Sequence, residues 1–154
     1  MTRPSIYHSQ GYTCAEALIK SYNEEHNTDI PISIGSGMGV GMNVGSVCGA
    51  VNAAVVIIGY LNGRNSNLDE NIARKYSREL LNRVRNKYSS EICVSLKKNK
   101  VTCEEIINFT YDALNEFIAS ENLITGGTGS RVRPVVACKG TVCVHGLADT
   151  QALA

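Results

Sequence analysis

The chain lacks an excess of charge of either sign, and it lacks a long apolar run. Its 154 residues carry 15 Lys and Arg against 14 Asp and Glu, which argues against a nucleic-acid-binding domain. The longest apolar stretch, residues 50–61, contains Asn52 and is shorter than the roughly 20 residues that span a bilayer. The first residues contain no apolar segment of signal-peptide length. We therefore expect a soluble cytoplasmic protein that contacts neither nucleic acid nor membrane.

Several motifs of known chemistry are also missing from the sequence. There is no C-x-x-C, which disfavours thioredoxin-like exchange, and no C-x-x-C-H, which makes covalent haem unexpected. Hydrolytic chemistry is disfavoured because neither G-x-S-x-G nor H-E-x-x-H occurs. Five glycines stand within residues 35–45, but they match neither the dinucleotide fingerprint nor the phosphate loop. Tight packing or turns are the expected roles of these glycines.

The sequence is rich in helix signals. Thr13 and Glu16 have the spacing of a capping box. Residues 46–62 are apolar nearly all round and include several small residues, which predicts a buried central helix that a neighbour can approach closely. The fold class is thus predicted to be all-α, a compact bundle of four to five helices followed by a short extended C-terminal tail. The predicted helices cover residues 13–26, 46–62, 68–87, a short segment around 93–96, and 102–122.

Four of the six cysteines fall at predicted helix starts. Each lies one to three residues after a serine or threonine: Cys14, Cys48, Cys93 and Cys103. The helix macrodipole and free amides at such positions favour negative charge, so a cysteine there is biased toward the thiolate. A chain of this length builds its core without disulfides, and clustered cysteines in a reducing compartment usually indicate metal or redox chemistry.

These same residues carry a family resemblance. The segment Gly11–Ala17, the segment Gly45–Ala50 after the glycine-rich stretch, and the single cysteines at 93 and 103 resemble the redox-active family with four cysteines and a CGAxxG motif. The resemblance covers about residues 6–120. It implies a redox role for the four cysteines but does not identify a substrate. Ala53 stands where the motif has glycine, which bears on close packing of that helix face.

The last thirty residues resemble a different protein. We expect residues 1–124 to form the helical four-cysteine domain and residues 125–154 a glycine-rich linker with a cysteine tail. Cys138 and Cys143 are similar to the first pair of cluster ligands in the iron–sulfur and sirohaem segment of nitrite and sulfite reductases. The spacing is C-x4-C here and C-x5-C there, and the second pair is absent, so these two cysteines cannot complete a four-cysteine cluster alone. A remnant or truncated segment is the favoured interpretation, and ligands from a second subunit are the alternative.

Two classes of function remain open from the sequence. In the first, the four cysteines bind an iron–sulfur cluster or another metal, or they form dithiol–disulfide pairs. An iron–sulfur cluster or no cofactor at all is expected, with a redox partner protein or reductase subunit as partner. In the second, the chain is a non-catalytic helical module associated with a sirohaem-type reductase. A homo-oligomer is expected in either case.

Non-covalent haem or corrinoid binding is a weaker third interpretation. Only His8, His26 and His145 could supply an imidazole ligand, and His26 lies at a predicted helix end.

Overall fold

Helices account for the regular structure of the described part of the chain. A computed structural model describes residues 2–124, with side chains described as far as residue 120. No strand occurs among these residues, and one isolated antiparallel bridge joins Val47 to Ile92. The prediction of an all-α fold is confirmed. The α-helices are α1 (Pro4–Ser9), α2 (Cys14–His26), α3 (Gly49–Asn62), α4 (Ile72–Tyr88), α5 (Cys93–Lys98) and α6 (Cys103–Ile124).

Helix α3 lies at the centre of the bundle and packs against α2, α4 and α6. Its residues Ala50, Ala53 and Ala54 are completely buried, as are Val51 and Ile57. Small side chains on one face let the neighbouring helices approach closely, which is the role predicted for residues 46–62. Ala53 fits within this packing, so the departure from glycine at that position is accommodated.

Two features of the helix pattern differ from the prediction. Helix α1 was not predicted; it is only six residues long and begins with Pro4, whose fixed φ suits a first helical position. Helix α4 begins at Ile72 and not at residue 68, because the Asn71 side chain caps it by accepting from the Arg74 amide at 3.1 Å. Leu68, at the start of the predicted range, lies before the helix and is 89% exposed.

The glycine-rich stretch is tightly packed against α2. It forms a 3₁₀ segment (Ile32–Met38) followed by a π-helical turn (Gly41–Gly45). A Cβ at Gly35 would lie 2.8 Å from the Glu16 backbone nitrogen, and one at Gly39 would lie 3.0 Å from the Thr13 side chain. The packing role is confirmed at Gly35, where a side chain has no room, and Gly39 is tight, whereas a Cβ at Gly37 would meet nothing within 4 Å.

Between residues 2 and 124, no helix combines the length and apolar character needed to cross a membrane.

Candidate functional site

The four candidate cysteines all lie at the N-terminal ends of helices. Cys14, Cys93 and Cys103 are the first residues of α2, α5 and α6. Cys48 was predicted to lie inside the first turn of a helix beginning at residue 46. This prediction is wrong, because α3 begins at Gly49 and Cys48 is its N-cap. Ser46 cannot start the helix because its amide donates to the Gly41 carbonyl and its carbonyl accepts from Cys93.

One cavity of about 130 Å³ brings the four cysteines together, which the sequence could not show. Each of the four is a free thiol in this structure. The rest of the wall is largely apolar, apart from one lysine, one histidine and one threonine. The other lining residues are His8, Thr13, Gly39, Val40, Leu96, Lys97, Val101 and Ile106.

Backbone hydrogen bonds fix the start of α3 to the start of α5. The Cys48 amide donates to the Glu91 carbonyl at 2.9 Å, and the Cys93 amide donates to the Ser46 carbonyl at 2.7 Å. The two bonds flank the antiparallel bridge between residues 47 and 92. Two cysteines that lie 45 residues apart in sequence are thereby held at neighbouring positions by main-chain geometry.

Cys14 and Cys48 form a buried thiol pair. They are 7% and 4% exposed, and both side chains line the cavity. Hydrogen bonding from the Cys48 thiol lowers the pKa of Cys14 to about 6, against the opposing effect of burial. The same interaction, and then burial, raise the pKa of Cys48. The two thiols therefore titrate as a coupled pair, in which ionisation of one is favoured and ionisation of the second is opposed.

Backbone amides also stabilise the Cys14 thiolate. The amides of Val40, Ala50 and Ala15 interact with its sulfur and further lower its pKa. They come from the π-helical turn, from α3 and from α2 itself, so three separate elements converge on one sulfur atom. This convergence is the anion-favouring environment that the helix-start positions predicted.

Cys93 and Cys103 are the more accessible pair, each half-buried. Lys97, on the last turn of α5, donates a hydrogen bond from Nζ to the Cys103 Sγ at 3.0 Å. This bond raises the pKa of Lys97, as do the charges of Cys103 and Cys93. Burial raises the pKa of Cys93, and the negative charges of Cys103 and Cys14 raise it further.

Lys97 is the site residue that sequence reasoning missed. The segment 97–100 contains three lysines and directly follows the predicted short helix around residues 93–96, and nothing in that pattern alone singles out one of them. A usable signal was present, because Lys97 follows Cys93 by four residues, and residues with that spacing lie on the same face of a helix.

Two glycines make room for two of the cysteines. A Cβ at Gly49 would lie 2.6 Å from the Cys14 Sγ and 2.5 Å from the Met38 carbonyl oxygen. At Gly41 it would lie 2.8 Å from the Cys93 Cβ and 2.5 Å from the Ser46 carbonyl oxygen. Contacts under 3 Å are not tolerated by a real Cβ atom, so both positions require glycine for the sulfur atoms to stand where they do.

The turn that covers the cavity is conformationally strained. Val40, Met42 and Asn43 have left-handed φ angles of 51°, 57° and 60°, and Gly41 and Gly45 are also left-handed. A β-branched residue such as valine rarely adopts this conformation, and strain of this kind concentrates at functional sites. Val40 lines the cavity with its neighbour Gly39, so the strained turn forms part of the site wall.

The remaining predicted site residues are not all in the cavity. His8 lines it, whereas His26 stacks on Tyr22 with ring centroids 4.3 Å apart and places Nε2 3.0 Å from the Asn115 Oδ1. His26 is thus engaged elsewhere in the bundle. Cys138, Cys143 and His145, together with the predicted linker and extended tail, lie outside the described residues.

Among residues 2–124, no group of three or more His, Cys, Asp or Glu side chains is placed to hold a metal ion. The four cysteines border the cavity in this arrangement.

The fold and site define a helical protein with converging cysteines at its helix starts. The model of the family described as putative redox-active protein (C_GCAxxG_C_C) matches residues 12–117. The chain belongs to this family. Here the motif is Cys48-Gly49-Ala50-Val51-Asn52-Ala53, so cysteine and glycine stand in the opposite order to the GCAxxG of that description. Searches of the curated proteins and of the solved structures found no match.

Proposed function

We propose that this member of a redox-active family works by reversible thiol–disulfide chemistry, with Cys14 and Cys48 as its redox couple. In the forward direction the two thiols lose two electrons and two protons and form one disulfide bond. An external disulfide accepts the electrons and the protons and becomes two thiols. The observation that carries this proposal is that the two buried cysteines line one cavity, and the lowered pKa of Cys14 supports it.

The surroundings of the pair support this chemistry. The thiolate is the nucleophile in disulfide exchange, and the lowered pKa of Cys14 provides one near neutral pH. Its partner lines the same cavity, at the start of α3, which packs against α2. Burial of the pair restricts direct access and limits wasteful oxidation.

Thiol counting on anaerobically purified protein tests the proposal. Diamide oxidation of the reduced chain is expected to remove two reactive thiols, and dithiothreitol to restore them. Cys48→Ala and Cys14→Ser should each slow this loss, because only cysteines outside the couple can then pair. Cys93→Ser serves as the matched control, because it removes a cavity cysteine that is not in the proposed couple. Loss of two thiols in the Cys14→Ser variant at the wild-type rate would contradict the proposed couple.

Metal analysis and an absorption spectrum of the same sample distinguish the iron–sulfur alternative. A brown protein with stoichiometric iron, whose broad absorption near 400 nm bleaches on reduction, would replace the dithiol proposal with a cluster protein. A colourless, metal-free protein whose cavity thiols resist both diamide and alkylation until unfolding would favour the non-catalytic module. A metal-free protein with reversible loss of two thiols is the result that the proposal requires.

A further inference from the structure

Because Cys14 and Cys48 are buried, a more accessible thiol is needed to react with the substrate, and the cavity contains one. We infer that Cys103, held against the Lys97 ammonium group, is the first thiol to attack a substrate disulfide, and that Lys97 is a catalytic residue of this step. The inference rests on the proposed function and identifies the thiol through which the Cys14–Cys48 couple exchanges electrons.

Accessibility separates the four cysteines into two classes. Cys14 and Cys48 are almost fully buried, whereas Cys93 and Cys103 retain access to solvent. A disulfide too large to enter a cavity of about 130 Å³ can therefore meet only the second class directly. The class of substrate that this arrangement suits is an accessible disulfide, on a small molecule or on an exposed segment of a protein.

Lys97 distinguishes Cys103 from Cys93. Its Nζ lies 3.0 Å from the Cys103 sulfur and donates a hydrogen bond to it. An ammonium group in that position stabilises negative charge on the sulfur, both before attack and when the sulfur later departs as a thiolate. Cys93 carries the opposite bias, because burial and the charges of two neighbouring cysteines raise its pKa.

The exchange steps balance in atoms and electrons. The Cys103 thiolate attacks one sulfur of the substrate disulfide, forming a mixed disulfide and releasing one substrate thiolate. A second cavity thiol, for which Cys93 is the other accessible candidate, loses its proton, attacks the Cys103 sulfur and releases the second substrate thiolate. The resulting Cys93–Cys103 disulfide then oxidises the Cys14–Cys48 dithiol and is itself reduced. The net reaction converts one substrate disulfide and two protein thiols into two substrate thiols and one protein disulfide.

Reaction of the reduced full-length chain with a limiting amount of 2,2′-dithiodipyridine tests the inference. Peptide mapping after an acid quench is expected to find the first mixed disulfide at Cys103. Cys103→Ser should lose the fast phase of pyridinethione release. Lys97→Met should slow that phase about tenfold, as expected when one charge-assisted hydrogen bond to the reacting atom is removed. Lys97→Arg should retain most of the rate, because it keeps a cationic donor.

Lys98→Met is the matched control, since Lys98 is the adjacent exposed lysine of the same helix. It should react at the wild-type rate. Equal rates for Lys97→Met and Lys98→Met, or first modification at Cys93, would overturn the inference. Far-ultraviolet circular dichroism of each variant separates a local effect from unfolding.

Oxidation by diamide distinguishes failure of this inference from failure of the proposed function. In Cys103→Ser, diamide should still form the Cys14–Cys48 disulfide, because that small oxidant does not need the Cys103 thiol. If wild-type protein formed no such disulfide with diamide, the proposed couple would be wrong. Whether Cys103 reacts first would then still be determined by peptide mapping after reaction with 2,2′-dithiodipyridine.

Discussion

The sulfur of Cys14 occupies the space that a side chain at Gly49 would need, with only 2.6 Å between the Sγ and a Cβ built on that glycine. The Cys14 sulfur at the start of α2 therefore packs directly against Gly49 at the start of α3. Glycine at this position serves the cysteine site as well as the helix start.

Gly49→Ala should displace the Cys14 thiol. We expect a loss of about 1–3 kcal/mol in the free energy of unfolding, the usual effect of overpacking a tight interior. The Cys14–Cys48 contact should weaken as well, so diamide should oxidise the pair more slowly. Urea unfolding and thiol counting measure the two effects.

Gly59→Ala provides the control for this substitution within the same helix. A Cβ at Gly59 meets nothing within 4 Å, so the alanine should fit and stabilise α3 by up to about 1 kcal/mol. Equal effects of the two substitutions would contradict the proposed contact between Gly49 and the cysteine site.

The reduced protein should contain one thiolate that forms near pH 6. The lowered pKa of Cys14 predicts a single step in thiolate absorbance at 240 nm around that pH. Cys14→Ser should remove the step. Cys48→Ala should move it to higher pH because the thiol donor is lost, and Cys48→Ser should move it less because a hydroxyl also donates. An unchanged step in Cys14→Ser would contradict the assignment.

Stability should follow the same ionisation. Because the pKa of Cys14 is lowered in the folded state, its contribution is complete above the ordinary cysteine value, about 8.5, and is lost as the pH falls through about 6. Cys48, whose pKa is raised, is protonated in both states below that ordinary value and adds no slope there. Reduced wild-type protein should thus gain resistance to urea between pH 6 and pH 8, and Cys14→Ser should lose this gain. If Cys14→Ser gained the same resistance to urea, the pH dependence of stability would be due to other groups.

Relief of backbone strain at Val40 should stabilise the protein. Val40→Gly allows the left-handed conformation at little steric cost, and Val40 is already 67% exposed, so little packing is lost. We expect a gain of about 0.5–1 kcal/mol, since a left-handed residue with a Cβ costs about 1–2 kcal/mol and glycine recovers only part of this.

Val44→Gly is the matched control in the same turn. Val44 is 81% exposed and is not among the left-handed residues of the described chain. The substitution should lower stability by about 0.5–1 kcal/mol, because glycine adds backbone entropy to the unfolded state without relieving strain. Thermal unfolding of both variants checks the opposite signs. Destabilisation of similar size in both would show that Val40 is not strained.

Local signals allowed much of the fold to be predicted. The Thr13 hydroxyl accepts from the Glu16 amide at 3.2 Å and the Glu16 carboxylate accepts from the Thr13 amide at 2.8 Å, which is the predicted capping box. The buried central helix was predicted from its composition alone. Both features depend on residues close in sequence, so a pattern within one segment is sufficient to find them.

Features that depend on distant segments were missed. Cys48 caps α3 because Ser46 is engaged with Cys93 and Gly41, two residues on other elements. The contact between Lys97 and Cys103 likewise needs the turn between α5 and α6, which no periodicity within either helix specifies. The cavity is lined by residues from six separate segments. The sequence therefore identifies the cysteines, but it does not show that they line one cavity.

Disulfide mapping of the oxidised chain tests the central claim most directly. Reduced wild-type protein is oxidised with one equivalent of diamide, its remaining thiols are alkylated, and the cross-linked peptides are identified by mass spectrometry. The account predicts a single dominant cross-link between the peptides that contain Cys14 and Cys48, reversible by dithiothreitol. Dominant cross-links that omit this pair, or alkylation of all six cysteines without any cross-link, would contradict it.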